Sequence, residues 1–267
     1  MAIVALCRQA GAAIEEIARS QMATQLKADD SPVTAADIAA HTCLAEGLAR
    51  LGGQSWPVLS EESASVPWLT RSQWSTYWLI DPLDGTKEYI RGSDEYSVNV
   101  ALIHRHRPVL GVVEKPRSQE VWLGRPDEGA WYQAAPDAGW APIRVAAEQP
   151  TRVVVSRFHR GARTQHLIDA IPGARVMTLG SSLKCCLIAD GRADLYPRFG
   201  PTSEWDTAAA QAVLEGAGGA LVDSHDWAPL RYNAKASLLN PGFVACARLD
   251  GAWREAWKAS RTGSATR

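Results

Sequence analysis

The apolar run Tyr77-Trp78-Leu79-Ile80, followed at once by Asp81-Pro82-Leu83-Asp84-Gly85-Thr86, constrains this chain more than any other stretch. The run reads as a buried strand, and two acids then stand at its end. Carboxylates beside an apolar strand lose solvation and raise each other's pKa, so they need hydrogen-bond donors or a cation to compensate. Oxygen-only donors select a hard cation. Gly85 and Thr86 then offer backbone N–H groups to an anion. A cation cradle beside an anion-binding turn is what transfer of a phosphoryl group to water requires. The plainer alternative for Asp81 and Asp84 is an Asp-Pro turn with an Asx cap.

Two more acidic segments would complete such a site. Leu59-Ser60-Glu61-Glu62-Ser63 follows Trp56-Pro57-Val58, which reads as a short strand. Downstream, in Pro201-Thr202-Ser203-Glu204-Trp205-Asp206-Thr207-Ala208-Ala209, Asp206 opens an alanine-rich helix. Ser203-x-x-Asp206 and Thr34-x-x-Asp37 both match a capping box, so helix stability alone would account for these residues. For Asp206, capping and metal ligation are compatible.

With 28 Lys+Arg against 29 Asp+Glu in 267 residues, charge makes no case for nucleic-acid or membrane binding, and a polyanionic ligand must be small and locally recognised. The five cysteines, at 7, 43, 185, 186 and 246, show no CxxC spacing, which argues against a disulfide framework or zinc knuckle and for a reducing compartment. The start lacks the basic region of a signal peptide, and no run reaches membrane-spanning length, so a cytoplasmic protein is expected, with peripheral membrane contact left open. Eleven tryptophans without interleaved basic residues read as core and its margins, not as a base-stacking surface.

Apolar periodicity predicts helices over 2–20 and from Thr34 to Arg50, preceded by the start signal Pro32. Strands are expected at 77–80, 97–103, 110–114, 120–123 and 130–133, as an antiparallel meander. From Val153 the pattern alternates: strand 153–155, helix 164–170, strand 174–179, helix 182–189, strand 193–196, helix 207–215, strand 220–222. That shift, with a turn-rich stretch from Trp140, suggests an α+β sub-domain over 1–145 and an α/β sub-domain over 146–267. Pattern alone gives mixed α/β.

The three acidic segments, in this order, resemble the inositol monophosphatase superfamily of metal-dependent phosphomonoesterases. SPVTAAD at 31–37, DPLDGTKEYI at 81–90, GSSLK at 180–184, LYPRFGPTSEWDTAA at 195–209 and LLNPGF at 238–243 are similar to its 3′(2′),5′-bisphosphate nucleotidase branch of the CysQ type. Ala210, where Gly is usual, and Gly216, interrupting a usually Glu-rich helix, depart from the pattern. The resemblance implies a layered α-β-α-β-α sandwich with the site between the halves. It implies hydrolysis of adenosine 3′,5′-bisphosphate to AMP and phosphate by metal-activated water, lithium sensitivity and a place in sulfur metabolism. Inositol 1-phosphate or another sugar phosphate is the alternative substrate, and a non-catalytic phosphate-binding regulator the more distant one.

Carried over by position, the resemblance implies that Glu61, Asp81, the Leu83 carbonyl, Asp84 and Asp206 ligate two or three Mg²⁺ ions, two of them roughly 3.5–4 Å apart and sharing Asp81. Asp37 and Thr86 would form a hydrogen-bonded dyad that, with Glu61, orients the nucleophilic water. Gly85 and Thr86 would bind the scissile phosphate through backbone N–H groups. Ser181, Lys184 and Arg198 would surround the ribose and retained phosphate, with Asp206 also meeting the substrate and His159 bordering the base pocket. Ordinary surface basicity is the alternative for the two cations, and a plain loop position for His159. Oligomeric state is left open.

Overall fold

The computed structural model describes residues 2–23, 32–51, 56–147, 150–157 and 161–262. His159, expected near the base, lies outside the described residues. The first two elements are the helices α1 (Ala2–Ala23) and α2 (Pro32–Arg50). Ile3, Cys7, Ala10 and Ile14 on α1, and Ala40, Leu44 and Leu48 on α2, recur at helical spacing and are all buried.

These helices cover one face of a seven-stranded sheet, ordered β1 to β7 as in the chain. It comprises β1 (Val58–Ser60), β2 (Thr76–Asp84), β3 (Ser97–His104), β4 (Arg107–Lys115), β5 (Glu120–Arg125), β6 (Gly129–Gln133) and β7 (Ala141–Ile143), with the short helices α3 (Trp68–Arg71) and α4 (Thr86–Ile90) on either side of β2. β1 and β2 are parallel, and every later pair is antiparallel. Successive side chains alternate between faces. Trp78, Ile80, Val98, Val100 and Val112 meet α1 and α2, while Tyr77, Leu79, Ala101, Ile103 and Val113 join a second core on the far side. Burial on both faces explains why the strands read as continuous apolar runs.

The rest of the chain forms β8 (Arg152–Ser156), α5 (Ala162–Asp169), β9 (Arg175–Leu179), α6 (Leu183–Ala189), β10 (Leu195–Arg198), a 3-10 turn (Glu204–Asp206), α7 (Ala208–Gly216), β11 (Ala220–Asp223), β12 (Phe243–Cys246) and α8 (Trp253–Thr262). Its strands make a five-stranded sheet, ordered β11-β12-β10-β8-β9. α6 and α7 share the core between the two sheets, and α5 and α8 cover the outer face of the second through Leu167, Trp253 and Trp257. The result is a layered α-β-α-β-α sandwich.

α7 lies close against the first sheet because both sides are small. A Cβ at Gly111 would fall 2.2 Å from the Ala209 carbonyl, and one at Gly124 would fall 2.2 Å from Val213 Cα. Asp206, immediately ahead of α7, takes its place from this contact.

Several boundaries differ from those the sequence suggests. β2 continues through Asp81 and Asp84 instead of stopping at Ile80, because a register shift against β3 between these two acids accommodates Pro82. β10 runs to Arg198, so this cation projects from a strand and not from the loop beyond it. α2 starts at Pro32, a favoured first helical position, which places Thr34 inside the first turn and not at its cap. β7 forms within the stretch read as turn-rich, as an edge strand that tolerates Pro142. All five cysteines are free, and no described helix is long and apolar enough to cross a membrane.

Candidate active site

Asp81 and Asp84 lie at the end of β2, and the turn before α7 brings Asp206 to them. One carboxylate oxygen from each of the three lies within 4.8 Å of the others. Asp81 is 1% exposed, and its Oδ1 accepts the Leu83 N–H at 3.1 Å. Asp206 Oδ2 accepts the Ser203 N–H at 2.8 Å, completing the capping box that the sequence suggested. Asp84 Oδ2 accepts the Ser182 N–H at 2.5 Å. A backbone donor thus restrains one oxygen of every carboxylate.

Burial pushes the Asp81 carboxyl well above its usual range, and Asp84, Asp206, Glu61 and Asp37 raise it further. Burial and then Asp84 push Asp206 up to about 7. No described Lys or Arg forms an ion pair with any of these acids. Crowded acids with no ion-paired partner among the described residues, offering only oxygen ligands, fit a hard divalent ion.

Glu61 and Asp37 stand beside this triad. Glu61 begins the 3-10 turn Glu61–Ser63 after β1, on the exposed rim. Burial of its carboxylate, then Asp84 and Glu62, raise its pKa, while a hydrogen bond from the Trp205 side chain opposes them. Asp37, on α2, is only 6% exposed, and burial followed by Glu62 and Glu61 pushes it up to about 7. Asp37 and Thr86 do not form the expected hydrogen bond. Thr86 Oγ1 instead donates to the Leu83 carbonyl, 3.3 Å away across the turn. Both groups expected of a dyad are near the acids, but the turn claims the Thr86 proton.

A cavity of about 280 Å³ opens beside the triad, lined by Asp84 and Asp206 together with Gly85, Thr86, Ser181, Lys184 and Arg198. Residues at the starts of α4 and α6 and just ahead of α7 line it, so the positive ends of these helices face one space. Gly85 has φ +95°, and a Cβ there would meet the Glu95 carbonyl at 3.0 Å and Ser181 Cβ at 3.2 Å, so this turn requires glycine. Neither cation is a surface charge. Lys184 is 4% and Arg198 7% exposed. Lys184 Nζ donates to the Ser181 carbonyl and lies 5.1 Å from the centre of the Tyr196 ring, and burial lowers its pKa. Arg198 donates to the Pro201 carbonyl at 3.0 Å, while its buried Nε has no protein partner.

Sequence reasoning missed Ser182 and Asn99. Asn99 Nδ2 donates to Ser182 Oγ at 2.9 Å and is 3.3 Å from Asp84 Oδ2. Gly-Ser-Ser does not reveal which serine turns inward. Asn99 does carry a signal, as a polar residue inside the apolar strand Ser97–His104.

Residues 1–260 match the inositol monophosphatase family. The chain is 45% identical over 242 residues to the 3′(2′),5′-bisphosphate nucleotidase CysQ of Escherichia coli (strain K12), covering 89% of this chain and 95% of that protein. It is 34% identical over 254 residues to the CysQ nucleotidase of Haemophilus influenzae, covering 94% of each. The crystal structure of CysQ from Bacteroides thetaiotaomicron superposes with a TM-score of 0.81 at 35% identity, covering 92% of this chain and 97% of that one. An inositol monophosphatase from Zymomonas mobilis shares the fold, with a TM-score of 0.73 at 22% identity and 97% of each chain covered. Profile, sequence relatives and fold agree, and the chain belongs to the inositol monophosphatase family.

Proposed function

We propose that this chain is a Mg²⁺-dependent 3′(2′),5′-bisphosphate nucleotidase that hydrolyses adenosine 3′,5′-bisphosphate to AMP and phosphate. One observation carries the reading: the cavity that meets the acids also holds two buried cations, Lys184 and Arg198, that form no ion pair with them. One end suits a phosphate to be cleaved and the other a phosphate to be kept. The names of the relatives support the same substrate class.

On this reading Glu61, Asp81, the Leu83 carbonyl, Asp84 and Asp206 hold the cations. A divalent ion held there supplies charge neutralisation on the phosphate and lowers the pKa of a water. Glu61, with Asp37 and Thr86 nearby, would orient that water; its oxygen bonds to phosphorus and gives up a proton while the ester bond breaks and the departing ribose oxygen takes up a proton to become a hydroxyl. Backbone N–H groups of Gly85 and Thr86 grip the scissile phosphate. Residues 1–145 contribute Asp37, Glu61, Asp81, Asp84 and Thr86, and residues 146–267 contribute Asp206 and the specificity residues Ser181, Lys184 and Arg198. A cytoplasmic enzyme inhibited by lithium at limiting Mg²⁺ completes the proposal.

Phosphate release from adenosine 3′,5′-bisphosphate, inositol 1-phosphate and fructose 1,6-bisphosphate, with and without Mg²⁺, tests it. The expected result is preference for the nucleotide and no turnover in EDTA. Preference for inositol 1-phosphate would overturn the substrate, and full activity in EDTA the metal dependence.

A further inference from the structure

We propose that Ser182 is a positioning residue that sets Asp84 against Asp206 for cation binding, an inference that rests on the metal-dependent reading above. Ser182 is 5% exposed and sits directly before α6. Its N–H donates to Asp84 Oδ2 at 2.5 Å. Its hydroxyl oxygen lies 2.7 Å from the same Oδ2 and 2.6 Å from the main-chain carbonyl oxygen of Asp206. A hydroxyl has a single proton, so it serves one of these acceptors at a time while accepting from Asn99 Nδ2. Either way the side chain bridges the end of β2 to the turn that carries Asp206.

Among the described residues, every donor to the Asp84 carboxylate converges on one oxygen. Ser182 N–H and Oγ, Asn99 Nδ2 at 3.3 Å and Ser97 Oγ at 3.5 Å all meet Oδ2. Oδ2 is thereby held, and Oδ1 has no donor among the described residues. The turn presenting Ser182 is itself constrained. Ser181 adopts φ +47°, a left-handed conformation that side chains other than glycine's rarely take. Ahead of it, Gly180 N–H donates to Glu95 Oε2 at 2.9 Å. A turn held at Gly180, strained at Ser181 and bonded through Ser182 to the half-buried Asp84 is a pre-organised support for a ligand, and removing such supports typically weakens metal binding roughly 10- to 100-fold.

Binding of Mn²⁺, a spectroscopically visible stand-in for Mg²⁺, to the full chain is measured by calorimetry and electron paramagnetic resonance. Ser182→Ala should weaken Mn²⁺ binding by roughly tenfold or more, with the melting temperature of the metal-free protein little changed. Ser182→Thr, which keeps the hydroxyl, should recover most of the affinity. Unchanged Mn²⁺ affinity in a folded Ser182→Ala overturns the proposal, as does loss of melting temperature without loss of affinity. If Ser182→Ala does not fold, Asn99→Ala removes a donor to both Asp84 and Ser182; weakened Mn²⁺ binding in that variant supports the proposal, and unchanged binding overturns it. Absence of Mn²⁺ binding by the unmodified protein would instead refute the metal-site reading itself.

Discussion

Glu114→Gln should remove one large contribution to the loss of stability as pH rises. Glu114 lies inside β4, 1% exposed, beneath α1. The helix backbone closes over it so tightly that a Cβ at Gly11 would come within 2.4 Å of Glu114 Oε2, and that oxygen has no hydrogen-bond partner. Burial pushes this carboxyl up to about 8; Arg8 pulls it down and Glu15 pushes it up. An unfolded glutamate titrates near pH 4.3. Below that value both states hold the proton and burial carries no ionic cost. Between there and about pH 8 the unfolded chain releases a proton that the folded chain retains, so folding weakens by about 1.4 kcal/mol per pH unit. The loss is complete above pH 8, at about 5 kcal/mol. Glutamine keeps the shape and cannot ionise, although its amide adds buried donors costing about 1–3 kcal/mol. At pH 9 Glu114→Gln should therefore be the more stable protein by roughly 2–4 kcal/mol, or about 5–15 °C in melting temperature for a chain of this size. Circular-dichroism melts of both proteins at pH 5, 7 and 9 read the difference. Melting temperatures that run parallel across the three pH values would refute the reasoning.

Asp81→Asn keeps the oxygen and removes the charge, so kcat/KM should fall by at least about a thousandfold. The same change should raise the melting temperature of the metal-free protein, because burial and the neighbouring acids oppose the Asp81 charge; near-normal phosphate release would refute the metal assignment. Lys184→Ala and Arg198→Ala should each cost roughly ten- to hundredfold in kcat/KM for adenosine 3′,5′-bisphosphate while sparing any side activity on inositol 1-phosphate, and equal losses on both substrates would contradict a role at the retained phosphate. Gly124→Ala should destabilise the fold by roughly 1–3 kcal/mol and lower activity through the displacement of α7; an unchanged melting temperature would show that the helix yields freely.

The acids were legible because their cost is legible: Asp81 and Asp84 interrupt an apolar strand, and few structural reasons keep charges there. The layer order became legible only through the family resemblance, since α/β alternation does not say which sheet face a helix covers. The path of β2 past Pro82 was hidden, because proline reads as a strand stop and the compensating bulge depends on β3. The burial of Lys184 was half visible in its neighbours Leu183, Cys185 and Cys186, but a lysine in a seven-residue helix equally suits a solvated face. Which of Ser181 and Ser182 faces the acids depends on the left-handed φ of Ser181, and no side-chain pattern encodes that angle.

The same middle layer that fills the core also builds the site. α6 and α7 pack on both sheets through Ile188, Ala189, Ala209 and Val213, while the residues just ahead of them, Ser182 and Asp206, are polar and converge on Asp84. The apolar lengths of these helices hold the layers together, and their N-terminal ends point at the cavity beside the acids. The acids oppose that packing, since burial raises the pKa of both Asp81 and Asp206. A divalent cation at the triad removes this opposition in the folded chain and has no preformed counterpart in the unfolded one. On the metal-dependent reading, cation affinity and folding stability are therefore linked, and added Mg²⁺ should raise the melting temperature.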